Sequence, residues 1–288
     1  MKENYWIIEN ERISSHNKEI ANAYLKVLKL AKKSEMTVDK YRRVLQQFLK
    51  DCPKNLEDLY AEDVHDWLSH RYGKKKERTQ ELILAVLSGF FKFCLAEDYI
   101  ERTLTKTRWR PKIPKSLPKF LDDHELARVR IQAERLSLRD RTLIAFLFSS
   151  GCRRSEVVGL NVEDLDLEKG SAQVLGKGNK LRVVHFSEET ALLLNDHLIN
   201  NTDKHAPLFI NKFKKRLGPV GIYLICRKLG IKAELPKSLS PHCCRHTFAT
   251  TMLARGADLE FIGRELGHRD LNITRGYARM NSFGSHHE

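Results

Sequence analysis

The chain has 288 residues, 41% of them hydrophobic and 31% charged. That is length for one large or two ordinary domains with a buried core, and the balance excludes both a membrane bundle and a disordered tail. Lys and Arg number 51 against 37 Asp and Glu, a formal net charge of +14, which points to a polyanionic partner, nucleic acid first, rather than to a small acidic metabolite.

Cysteines stand at 52, 94, 152, 226, 243 and 244 without a CxxC pair or regular spacing, so neither a disulfide framework nor a ribbon-type zinc site is expected, and the compartment reads as reducing. The first residues, MKENYWIIENERISS, carry acids where a secretion signal needs an apolar run. The most apolar stretch, 82–91, is interrupted by Ser88 and Gly89, short of a membrane span. A cytoplasmic, nucleoid-associated protein with no membrane partner is the expectation.

In chain order, apolar periodicity predicts helices over 18–33, 37–50 with Thr37 as N-cap, 61–72 and 77–97, a small four-helix bundle. Between the last two sit Arg71, Lys74, Lys75, Lys76 and Arg78 against Glu77. Cations at a helix start, beside unpaired N–H groups, suit a phosphate; an ordinary surface turn is the competing reading. The stretch 99–119 then carries seven cations, among them Arg108, Arg110 and Lys112, against Glu101, with prolines at 111, 114 and 118. It reads as an extended strap and a domain boundary, either crossing a DNA backbone or simply solvated.

Helices follow over 122–135 and 138–150, up to Gly151. Short strands at Leu165 and Leu167, 172–175 and 181–186 are separated by the turn texts EKGS and GKGN. Further helices are expected over 188–199, 211–229, 241–255, 259–266 and 273–280. The fold class is mainly α with a small antiparallel β-sheet, in two domains. No repeat of 20–50 residues is visible.

Four stretches carry residues suited to chemistry. In SPHCCRHTFATTMLARG, Ser240 is an N-cap, Pro241 fits the first helical position and Gly256 closes the helix. His242 and Arg245 then share one face of its first turn, a place for an anionic oxygen that also needs proton traffic, unless this is an ordinary polar helix start. His242 and His246 have the spacing of a zinc helix, but Cys243 stands where the general base belongs and adjacent cysteines diverge, so no metal is expected. In GCRRSEVVGL, Arg153 suits bidentate capture of phosphate oxygens, and Glu156, three residues on, suits orienting it. Lys177 tips the GKGN turn, where flanking glycines allow close approach; no Walker loop is present, so nucleotide hydrolysis has no support. In LGHRDLNITRGYARM, His268 follows the helix-closing Gly267, and Tyr277 lies nine residues later.

Taken together, GCRRSEVVGL, VLGKGNK, SPHCCRHTFATTML and ELGHRDLNITRGY resemble, in order and spacing, the tyrosine site-specific recombinases of the phage-integrase and Xer type. The likeness covers about 120–280 and extends more loosely to the helical segment before it. It implies a core-binding DNA domain at 1–103, a basic linker at 104–119 and a catalytic domain at 120–288. It further implies catalytic roles for Arg153, Lys177, His242, Arg245, His268 and Tyr277, with Glu156 in support. Implied too are a 3′-phosphotyrosyl intermediate and a Holliday junction, with neither metal, cofactor nor ATP. The implied partners are double-stranded DNA at a specific recombination site and a homotetramer on it, with a paralogous recombinase as a possible second protein. A type IB topoisomerase and a DNA-binding regulator with a vestigial site are the alternatives.

Overall fold

The structure, a computed structural model, describes residues 4–113, 119–176, 180–199, 203–267 and 274. The chain divides into two units, Met1–Ser116 and Leu117–Glu288.

The first unit is built on α1 (Ser15–Leu30), α2 (Glu35–Asp51), α3 (Ala61–Tyr72) and α4 (Glu77–Ala96). Helix α2 begins before Thr37, because Ser34 is the N-cap and its side chain accepts the Thr37 N–H; a hydroxyl three residues upstream satisfies a donor of the first turn. By length and composition α4 is able to cross a membrane. Its apolar side chains are instead the centre of this unit's core: Phe90 and Phe91 are buried, and Phe48 meets both Phe91 and Trp67 edge-on at 5.7 and 5.1 Å. Such pairs add about 1 kcal/mol each beyond the area they bury. The basic stretch does not start as a free strap. Ile100 and Leu104 are buried in the same core, Trp109 packs on it, and Thr107–Trp109 forms a short 3₁₀ turn.

The second unit contains α5 (Asp123–Ala133), α6 (Leu138–Ser150), α7 (Arg154–Gly159), α8 (Glu188–Leu198), α9 (Pro219–Lys232), α10 (Pro241–Ala254) and α11 (Leu259–Leu266). Between α7 and α8 runs an antiparallel sheet of β1 (Leu165–Asp166), β2 (Ser171–Leu175) and β3 (Leu181–His185), in that order. The register sets Val174 opposite Arg182 and Ala172 opposite Val184. Ala172, Val174 and Val184 face the core beside Phe146, Leu147 and Leu194.

In the first unit α1 also runs three residues earlier than the expected 18–33, and in the second unit two elements differ from the sequence-based expectation. The expected helix over 211–229 begins only at Pro219. Before it, Ile210 pairs with Arg216, and the Asn211 side-chain oxygen accepts the N–H groups of Phe213 and Lys215. An Asn that satisfies the local backbone competes with helix, and the residue before a proline avoids the helical region. Helix α7 was not expected from the sequence; its six residues are too few to show a period. Of the helix expected over 273–280, all but Thr274 lie outside the described residues.

Candidate functional site

Helix α6 is closed by Gly151 in the left-handed conformation (φ 59°), which turns the chain so that Arg153 becomes the N-cap of α7. Glu156, in the first turn of α7 and only 3% exposed, accepts the Arg153 backbone N–H at 2.7 Å and its Nη1 at 2.8 Å. This is the carboxylate half of a capping box, doubled by an ion pair. A second guanidinium meets the same carboxylate: Arg182 Nη2 donates to Glu156 Oε2 at 2.8 Å. The Nε of Arg182 is buried without a hydrogen-bond partner among the described residues, an uncompensated donor that costs about 1–3 kcal/mol.

Ser240 caps α10, its hydroxyl accepting the Cys243 N–H, and Pro241 fills the first position. Arg245, 2% exposed, donates from Nη1 to the Gly151 carbonyl at 2.8 Å and from Nη2 to the Leu266 carbonyl at 2.5 Å. Both acceptors lie at helix C-termini, where the backbone dipole favours a cation. Arg153 Nη2 donates to the next carbonyl, Gly267, at 3.1 Å. Two arginines 92 positions apart in sequence are thus fixed on adjacent peptides at the end of α11, whose α carbons are about 3.8 Å apart. The Arg153 side chain is 29% exposed, making it the more accessible of the two.

His242 stays open to solvent. The packed protein around it, and then the charges of Arg245, Arg153 and Arg154, hold its imidazole below the ordinary histidine pKa. It is therefore neutral at pH 7 and able to accept a proton. His246 stacks on it, ring centres 5.4 Å apart, and is pushed down to about 4 by burial, then by His242 and Arg245. Among the described residues no group of three His, Cys, Asp or Glu is placed to hold a metal ion.

The structure therefore brings together Arg153, Glu156, Arg245 and His242. Lys177, His268 and Tyr277 lie outside the described residues; Gly176, whose N–H donates to the Lys180 carbonyl at 2.8 Å, immediately precedes Lys177 in sequence, and Gly267 immediately precedes His268. In the first unit Lys74, Lys75, Lys76 and Arg78 are exposed, while Arg71 is paired with Asp51 at 3.1 Å. Arg108 and Lys112 are exposed, and Arg110 pairs with Glu81 at 2.6 Å. Arg182 was not singled out from sequence. Its signal was available: in LRVVH it alternates onto the same side as the buried Val184, and a charge on an inward-facing strand position requires a partner.

The profile described as "Phage integrase family" matches residues 119–282, and that described as "Phage integrase, N-terminal SAM-like domain" matches 21–98. The chain is 30% identical over 278 residues to "Tyrosine recombinase XerD" of Staphylococcus epidermidis, covering 91% of this chain and 94% of that protein. It is 31% identical over 280 residues to "Tyrosine recombinase XerA" of Pyrococcus horikoshii, covering 94% and 93%. Among solved structures, the XerH site-specific recombinase bound to its palindromic difH substrate in a post-cleavage complex shares the fold. The TM-score there is 0.71 at 22% identity, over 97% of this chain and 91% of that one.

Proposed function

The chain belongs to the phage integrase family, and from that membership we propose that it is a site-specific recombinase of the Xer type, cutting and rejoining DNA strands. The observation that carries the reading is the convergence of Arg153 and Arg245 on the adjacent carbonyls of Gly267 and Leu266, beside a histidine held neutral. Two guanidiniums and a free base at one spot suit a phosphodiester whose charge grows in the transition state. The recombinase relatives favour strand exchange over supercoil relaxation or regulation without cleavage.

In this reading the Tyr277 oxygen attacks the scissile phosphorus. A bond forms from phosphorus to the tyrosine oxygen, giving a 3′-phosphotyrosyl link, and the bond to the 5′ oxygen breaks. An ordinary phenol has a pKa near ~10, so its proton must be taken; neutral His242 accepts it. Arg153 holds a non-bridging oxygen directly. Arg245 adds its charge from within the protein. His268 hydrogen-bonds the phosphoryl group, and Lys177 protonates the departing 5′ oxygen. The bond energy stays in the phosphotyrosine, so rejoining needs no ATP, and the guanidiniums do the work of a metal ion. Arg71, Lys74, Lys75, Lys76 and Arg78 of the first unit, with Arg108, Arg110 and Lys112, hold the duplex by its phosphates. Two bound sites meet in a tetramer, which places the protein on the nucleoid.

The experiment is covalent trapping. The full chain is mixed with fragmented genomic DNA in EDTA, and fragments that stay attached through denaturation are recovered and rebuilt as a nicked duplex. Wild type accumulates the adduct on this duplex, and Tyr277→Phe gives none. No adduct from wild type, or a persistent one from Tyr277→Phe, overturns the reading.

A further inference from the structure

We propose that Arg182 is a positioning residue for strand cleavage, one guanidinium that holds three separate segments of the site in a single register. The inference rests on the recombinase reading above. Arg182 stands on β3, 14% exposed at its side chain, too deep to touch a substrate phosphate. Its Nη2 donates to Glu156 Oε2, the oxygen that also accepts the Arg153 N–H, and its Nη1 donates to the Glu265 carbonyl. Each segment so joined leads within three residues of α11 or α7, or five of β3, to a group assigned to the phosphate: Glu156 to Arg153, Glu265 to His268, and β3 to Lys177.

One glycine tightens the joint and a second lies beside it. A methyl group on Gly267 would stand 2.8 Å from Arg182 Nε and 3.5 Å from Arg153 Nη1. The peptide before His268 is therefore packed flush on one guanidinium, while its carbonyl accepts a hydrogen bond from the other. A methyl group on Gly176, the residue before Lys177, would stand 3.7 Å from Glu156 Oε1, an ordinary contact distance, so the base of the hairpin lies beside this carboxylate. A planar fork reaching two acceptors performs this joining; an ammonium on a flexible stem offers a point charge and not the fork. The buried Nε, without a hydrogen-bond partner among the described residues, fits a side chain kept for its two Nη contacts.

The test is the single-turnover rate of adduct formation at saturating nicked duplex, with DNA affinity and the melting temperature measured in parallel. Arg182→Gln is expected to lower the rate about 10²-fold, the size of a small misplacement of reacting groups, while affinity, carried by phosphate contacts elsewhere, stays unchanged. Arg182→Lys is expected to restore the melting temperature but not the rate. Should Arg182→Gln fail to fold, Gly267→Ala keeps every charge and displaces the same joint, and is expected to slow adduct formation as well. A wild-type rate in Arg182→Gln or Arg182→Lys, or a loss confined to DNA affinity, overturns the inference. Trapping by Tyr277→Phe would instead overturn the reading it rests on.

Discussion

Replacing Glu156 by Gln tests the electrostatic centre of the second unit. The carboxylate is 3% exposed and accepts hydrogen bonds at 2.7, 2.8 and 2.8 Å from the Arg153 N–H, Arg153 Nη1 and Arg182 Nη2. Gln keeps the shape and one oxygen, but it removes the negative charge and turns an N–H₂ donor towards a guanidinium. Removing one partner of a buried ion pair costs about 3–5 kcal/mol. Because the Arg153 side chain is 29% exposed and retains water, the lower end applies, ~3 kcal/mol. For a unit of this size that is a fall in Tm of roughly 6–12 °C, read by circular dichroism and urea titration. Arg182→Met in the same background removes the stranded guanidinium. The double variant should then lose less than the sum of the singles, by about 1 kcal/mol or more. A loss under about 1 kcal/mol for Glu156→Gln, or strict additivity, would show that the buried triad is not what holds the end of α11.

Gly151→Ala forces a side chain onto φ 59° and drives a methyl group to 2.5 Å from Phe248 Cδ1 and 3.0 Å from Leu266 Cδ2. The strained backbone and overpacking together should cost about 2–4 kcal/mol in urea unfolding; covalent trapping should fall too, because the Gly151 carbonyl holds Arg245. A variant as stable as wild type would refute the packing described. For pH, His246 is held at about 4 when folded against 6.5 as its ordinary value. Between those limits the unfolded chain binds a proton that the folded chain refuses. The associated stability, fully present above pH 6.5, is therefore lost as pH falls towards 4, by up to ~3 kcal/mol. His246→Gln should flatten this part of the stability curve; an unchanged slope would remove His246 as its source.

Much of the architecture was legible because it is locally encoded. Helices α3, α6 and α11 occupy the expected bounds, and for two of them the stops are visible in the text: Ser137 and Gly151 around α6, Asp258 and Gly267 around α11. A cap acts on donors and carbonyls within one turn of itself, so a sequence window contains all the participants. The same holds for the four motifs that carried the resemblance. Periodicity failed where the local signal had a competitor. Asn211 captured its own backbone and Pro219 set a later start for α9, while Ile100 and Leu104 in a cation-rich, proline-bearing stretch found a core to enter.

What only the tertiary structure decided is which distant groups each buried guanidinium meets. Arg153 finds a carbonyl 114 residues away, Arg245 one 94 away, and Arg182 one 83 away. Residue types and spacing determine that His242 and Arg245 stand on a helix start able to serve a phosphate, and that Arg153 stands just past the end of another helix. They do not determine that α11 ends where two of these arginines converge, or that a third, on β3, ties Glu156 to that end. Hydrogen-bond partners across such separations are selected when hydrophobic packing brings whole elements together, and no local window of the chain contains that information.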